Sequence, residues 1–135
     1  MGLRFVFAGA LNAFLAVTMG AFGAHMLSER YHIEPHYLET WKTAVQYHLF
    51  HALALLYIGS VAEKLPRKTA DLIGALFALG MAIFAGSLYL LALTSLQPGG
   101  AVKWLGAITP LGGVCFLSAW ALLAWAGAKK NVTEK

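Results

Sequence analysis

Six consecutive residues hold most of the chain's capacity for chemistry: Gln46-Tyr47-His48-Leu49-Phe50-His51. They lie inside an apolar stretch long enough to cross a bilayer. Polar and ionisable groups are costly there, so they are expected to face protein or a cavity and to have a purpose. On a helix, His48 and His51 are three apart and share a face, with Tyr47 beside them, four before His51. Gln46 points toward a different neighbour. Imidazole ligates zinc, copper, iron and nickel, and pairs of histidines can clamp haem. It also serves as plain hydrogen-bond glue, donating at one nitrogen and accepting at the other.

These readings make different demands. A metal site needs a further ligand, for which the sequence offers His25 to join His51, with no carboxylate or cysteine at that depth. A haem clamp across two helices is chemically reasonable, but nothing in the spacing requires it. A proton or ion path needs ionisable groups through the whole thickness. Only Asn12 approaches the opposite half, which disfavours a through-pore. Interhelical glue and a pocket for a lipid-like or quinone-like molecule remain, and no cofactor is expected.

The surrounding chain must be a membrane domain. Of its 135 residues 59% are hydrophobic and 12% charged, with mean hydropathy +0.67. A soluble domain has about 25% charged residues to cover its surface. The net charge of +4 sits at the ends of apolar segments. It therefore reads as topology and lipid headgroups rather than nucleic-acid binding. The single cysteine, Cys115, excludes an intrachain disulfide and a cysteine-built zinc site.

Residues 1–135 read as one transmembrane domain of the all-α class: four antiparallel transmembrane helices, with an interfacial helical segment before the second. The expected spans are about 3–27, 42–62, 70–95 and 102–126. The first apolar run is too long for a cleavable signal core of about 7–15 residues, which favours a retained helix. Gly9, Ala13, Ala16, Gly20 and Gly23 place small residues on one face of it, a packing signal. Ser28–Trp41 is the polar connection, with Pro35 suited to a first helical turn. Glu63–Lys68 forms a basic turn, and Thr69 or Asp71 is the expected cap of the third helix. Gln97-Pro98-Gly99-Gly100 is a second turn. Thr109-Pro110 marks a kink, where the Thr109 hydroxyl or a neighbouring helix covers the carbonyl that proline strands.

Counting Lys and Arg sets the orientation. Arg4, Lys64, Arg67, Lys68, Lys129, Lys130 and Lys135 fall on the side of both termini; Arg30, Lys42 and Lys103 fall on the other. Both termini are therefore expected in the cytoplasm. Trp41 and Trp104 would mark the outer interface, Trp125 and Trp120 the inner one. With that topology His25, Gln46, Tyr47, His48, His51, Ser87, Tyr89 and Thr109 form one outer-leaflet polar layer. Asn12 is an interhelical pin.

Four ordered motifs also resemble a known family. They are Gly20-Ala21-Phe22-Gly23-Ala24-His25, Tyr47-His48-Leu49-Phe50-His51-Ala52-Leu53-Ala54, Gly86-Ser87-Leu88-Tyr89-Leu90-Leu91-Ala92-Leu93 and Thr109-Pro110-Leu111-Gly112-Gly113-Val114-Cys115-Phe116-Leu117. The chain resembles, over nearly its whole length, the YwdK/YgdD family of small bacterial multi-pass membrane proteins, which has mitochondrial relatives. The resemblance implies an uncleaved four-helix protein of the bacterial cell (inner) membrane and carries no activity with it. His48 departs from the family pattern, which often has glutamine there. Glutamine is a poor metal ligand, so that departure weakens a His48/His51 metal pair and favours a hydrogen-bonded layer.

The expectation is thus a non-enzymatic membrane protein whose polar layer is structural and could line a lipid- or quinone-like ligand site. A histidine-ligated metal or haem redox protein, and a small transporter acting as an oligomer, are the competing readings. Membrane lipids, a second copy or another membrane protein are the expected partners.

Overall fold

Long apolar runs give the backbone no water to bond, so each must satisfy its own N–H and C=O groups as a helix. The computed structural model, which describes residues 1–133 with side chains to 129, follows that rule. Helix α1 (Leu3–Phe22) continues as a π-helical segment, Gly23–Arg30. Helix α2 (Pro35–Val61) ends in a short 3-10 turn, Ala62–Lys64. Helices α3 (Arg67–Gly80) and α4 (Gly86–Thr94) are joined through a π segment, Met81–Ala85, into one rod. Helix α5 spans Trp104–Thr133. Four rods among the described residues are long and apolar enough to cross a membrane: Leu3–Arg30, Pro35–Lys64, Arg67–Thr94 and Trp104–Lys129.

The ends differ in detail from the sequence reading. Because the first helix runs on to Arg30, the polar connection shrinks to Tyr31–Glu34. His32 takes a left-handed φ of 48° in it, and Ile33 turns inward, its N–H donating to the Leu27 carbonyl at 3.0 Å. Pro35 opens α2, which then runs unbroken into the second span. Neither Thr69 nor Asp71 caps the third helix. Pro66 holds the cap position with no side-chain bond, and Asp71 is instead paired with Arg4, with Arg67 at 4.0 Å.

Close approaches fix how the rods pair. Gly2 meets Gly59, Gly9 meets Ala52 and Leu56, Gly20 meets Val45, and Gly23 meets Trp41. Trp41 contacts Tyr89, Tyr47 contacts Phe84, and His51 contacts Phe77. Phe77 contacts Trp120, Phe84 meets Gly112, and Ser87 meets Thr109. In each series one number rises as the other falls, so paired rods run in opposite directions. The second and third rods form the middle of the bundle, with the first and fourth on its flanks. Arg4, Lys64, Arg67, Lys68 and Lys129 gather at one end. Lys130 and Lys135, counted with them in the sequence, lie outside the described side chains.

Two apolar cores form. One holds Phe5, Leu55, Ile58, Ile73, Phe77 and Phe116 toward the basic end. The other holds Leu27, Ile33, Trp41, Tyr89 and Ala92 at the opposite end. Trp41 is therefore not an interface residue. It is 2% exposed, its ring lies on Phe22 and Tyr89, and its N–H donates to the Met19 carbonyl at 2.7 Å. Gly23 makes this possible, since a Cβ there would strike the indole. Trp104 and Trp125 are exposed, and Lys129 sits over the Trp125 ring at 4.1 Å. Leu3, Phe7, Leu11 and Phe14 on α1, and Leu111, Val114 and Leu117 on α5, face outward. An apolar outer surface of that extent suits a lipid solvent.

Candidate functional site: hydrogen-bonded histidines between the helices

The two histidines of the central motif lie between the two cores, both buried. His51 is held at both nitrogens. Its Nδ1–H donates to the Tyr47 carbonyl one turn back, at 2.6 Å. Its Nε2 accepts from the Trp120 indole N–H at 3.2 Å. A carbonyl can only accept and an indole can only donate. These partners therefore specify a neutral ring with its proton on Nδ1. The ring also stacks on Phe116, with centroids 3.5 Å apart and planes 6° apart.

His48 takes the other tautomer. The Asn12 amide NH2 donates to the Ala8 carbonyl at 2.9 Å, which turns its Oδ1 toward His48 Nε2 at 3.1 Å. An amide oxygen accepts, so His48 donates from Nε2. Its Nδ1 then accepts the Tyr89 hydroxyl proton at 3.2 Å. The result is a one-way chain of donors, Tyr89 to His48 to Asn12 to Ala8, crossing three rods.

A third group lies nearer the Arg30 end. Ser87 O–H donates to the Phe84 carbonyl at 3.0 Å. Its oxygen then accepts from Thr109 at 2.7 Å, the shorter contact open to that proton. The alternative acceptor, the Leu105 carbonyl, is at 3.3 Å. Pro110 strands the Gly106 carbonyl by helical count, so the Thr109 hydroxyl does not cover the group it was expected to cover. Gly112 lets α5 approach the Phe84 backbone directly below.

The expected single layer is thus three separate bonded groups. Judged by the contacts of α2 with the third rod, Trp41 with Tyr89, Tyr47 with Phe84 and His51 with Phe77, they spread over roughly 10 Å of helix axis at about 1.5 Å per residue. His25 belongs to none of them. It is exposed near the end of the first rod, 3.8 Å from Glu29. Gly9 is level with Ala52, so His25 and His51 lie about 20 Å apart along the axis. They cannot share an ion. Among the described residues no three His, Cys, Asp or Glu side chains gather as ligands. Gln46 is exposed beside Gly20 and Ala24. Tyr47 is 42% exposed, and its ring rests on Phe84.

Two partners were underrated from sequence. Trp120 is 45% exposed, and it also lies four residues after Phe116 on the face that meets His51. An indole N–H inside a span needs an acceptor, and that requirement was the available signal. Asn12 was recognised as a pin, but its partner His48 was not.

Comparison with known proteins gives a consistent set of relatives. Residues 19–113 match the family model described as "Protein of unknown function (DUF423)". The chain is 44% identical over 126 residues to the UPF0382 membrane protein YwdK of Bacillus subtilis, covering 93% of this chain and 96% of that one. It is 44% identical over 119 residues to a UPF0382 membrane protein of Staphylococcus aureus, covering 88% and 90%. A UPF0382 membrane protein of Staphylococcus epidermidis is 42% identical over 125 residues, covering 93% and 95%. No solved structure matches.

Proposed function

Because the chain belongs to the family described as "Protein of unknown function (DUF423)" and is a membrane protein like its relatives, we propose that it is a non-enzymatic integral protein of the bacterial cell membrane. Its buried polar groups lock the helices in register, and both termini lie in the cytoplasm. One observation carries this reading. Each nitrogen of His48 and His51 meets a partner of the matching kind. No lone pair or ring proton is left over for a metal, a haem iron or a substrate. A catalytic imidazole needs at least one nitrogen within reach of a reacting group. The basic end, with Arg4, Lys64, Arg67, Lys68 and Lys129, supports the cytoplasmic assignment through the positive-inside rule.

The test is thermal unfolding of the His51→Ala variant in detergent. The substitution removes the Trp120 bond and the Phe116 stack. An interhelical bond is worth about 0.6 kcal/mol and an aromatic pair about 1 kcal/mol, so the expected loss is about 2 kcal/mol. An unchanged midpoint would overturn the structural role. Stoichiometric metal or haem in untagged protein, lost in the same variant, would replace it with a redox function.

A further inference from the structure

The end bearing the basic turn holds a lateral groove between α2 and α5. Here α2 packs on α1 and the third rod, and α5 packs on the third rod, so the two helices diverge. The groove encloses about 470 Å³, with Tyr57, Val61, Trp120 and Leu123 among its walls, Gly127 toward the α5 end and Lys64 beside it. That volume falls within the range of about 300–1,000 Å³ typical of small-molecule sites. Trp120, tied to His51 at 3.2 Å, fixes the wall nearest the membrane centre. We propose that this groove binds an anionic glycerophospholipid, one acyl chain lying along the apolar walls and the phosphate meeting Lys64.

Charge decides the occupant. No acidic side chain lies within ion-pair distance of Lys64 among the described residues. Arg67 and Lys68 follow it in the same turn, and Glu63 is the one acid there. Asp71, the next acid along the chain, is engaged by Arg4 and Arg67. A lysine at the edge of an apolar groove lays its stem along the walls and holds its ammonium at headgroup level. An anionic phosphate without a compensating choline satisfies that charge best. The groove meets the histidine network only through Trp120, and lipid binding there does not depend on the role of the imidazoles.

Protein reconstituted in nanodiscs of phosphatidylglycerol and phosphatidylcholine in equal amounts, then released in mild detergent, can be weighed by native mass spectrometry. The expected result is retained phosphatidylglycerol in preference to phosphatidylcholine. Lys64→Gln should reduce that preference about fivefold, the effect of one lysine near a charged surface. Lys103→Gln, at the opposite end, should leave it unchanged. At Gly127 an added Cβ meets no atom within 4 Å, so Gly127→Leu should fill the groove and lower retention of both lipids. Should that variant unfold, Ala124→Leu fills the same groove. Equal retention of the two lipids by the wild type, an undiminished preference in Lys64→Gln, undiminished retention in a folded groove-filled variant, or a lipid-free dimer would each overturn the proposal.

Discussion

At the residue scale, a buried imidazole is defined by what faces its two nitrogens. His51 lies between a carbonyl and an indole, His48 between an amide oxygen and a hydroxyl. The two rings therefore carry opposite tautomers three residues apart on one helix. This makes substitution at His48 selective. A glutamine has one donor group and one acceptor, as that position requires. His48→Gln should cost less than about 1 kcal/mol, the net worth of an ordinary bond. His48→Leu leaves the Tyr89 hydroxyl and the Asn12 oxygen without partners, each a desolvation penalty of about 1–3 kcal/mol. Thermal unfolding in one detergent should rank them wild type, then Gln, then Leu. The sequence exposed the histidines because they interrupt an apolar run. It hid their partners, because an asparagine 36 residues upstream and a tryptophan 69 residues downstream meet them only through tertiary packing.

At the element scale, the helices were legible and their ends were not. Length and hydropathy mark four spans, and Pro35 marks the start of α2. Two features escaped. The π segments Gly23–Arg30 and Met81–Ala85 have no residue signature of the kind that Pro110 has. Trp41 looked like an interface anchor, because a belt tryptophan and a buried one are the same residue until Gly23 is placed against the indole. Glycine at the contacts is the element-scale device, and it can be tested by contrast. A Cβ on Gly112 would strike the Phe84 backbone, which cannot turn aside as a side chain can, whereas one on Gly86 meets nothing within 4 Å. Gly112→Ala should lower stability by about 1–3 kcal/mol, the usual cost of overpacking. Gly86→Ala should leave it unchanged or higher, since alanine is the better helix former. Equal effects at the two positions would contradict the packing described.

At the scale of the whole molecule, charge and polarity sort along the bundle axis. Among the described residues the basic end carries Arg4, Lys64, Arg67, Lys68 and Lys129, the other end only Arg30, Lys42 and Lys103. That asymmetry needs no tertiary information and was readable directly. Position along each helix gives only an approximate depth for the polar residues. Contacts between helices show three groups at successive levels instead. The orientation predicts labelling. In a Cys115→Ser background, Gly99→Cys lies in the turn at the less basic end and should react with a membrane-impermeant maleimide on intact cells. Lys68→Cys, at the basic end, should react only after permeabilisation. The reverse pattern would invert the topology.

Hydrogen bonds occupy both ring nitrogens of each buried imidazole. Nitrogen-15 NMR of histidine-labelled protein in bilayers reads this directly. The expected spectrum contains two neutral, hydrogen-bonded rings of opposite tautomer, Nδ1–H at His51 and Nε2–H at His48, assigned through Trp120→Phe and Tyr89→Phe. Neither should shift when zinc or haem is added. An imidazolium at His51, a shared tautomer, or a shift on metal addition would contradict it and return these residues to chemistry.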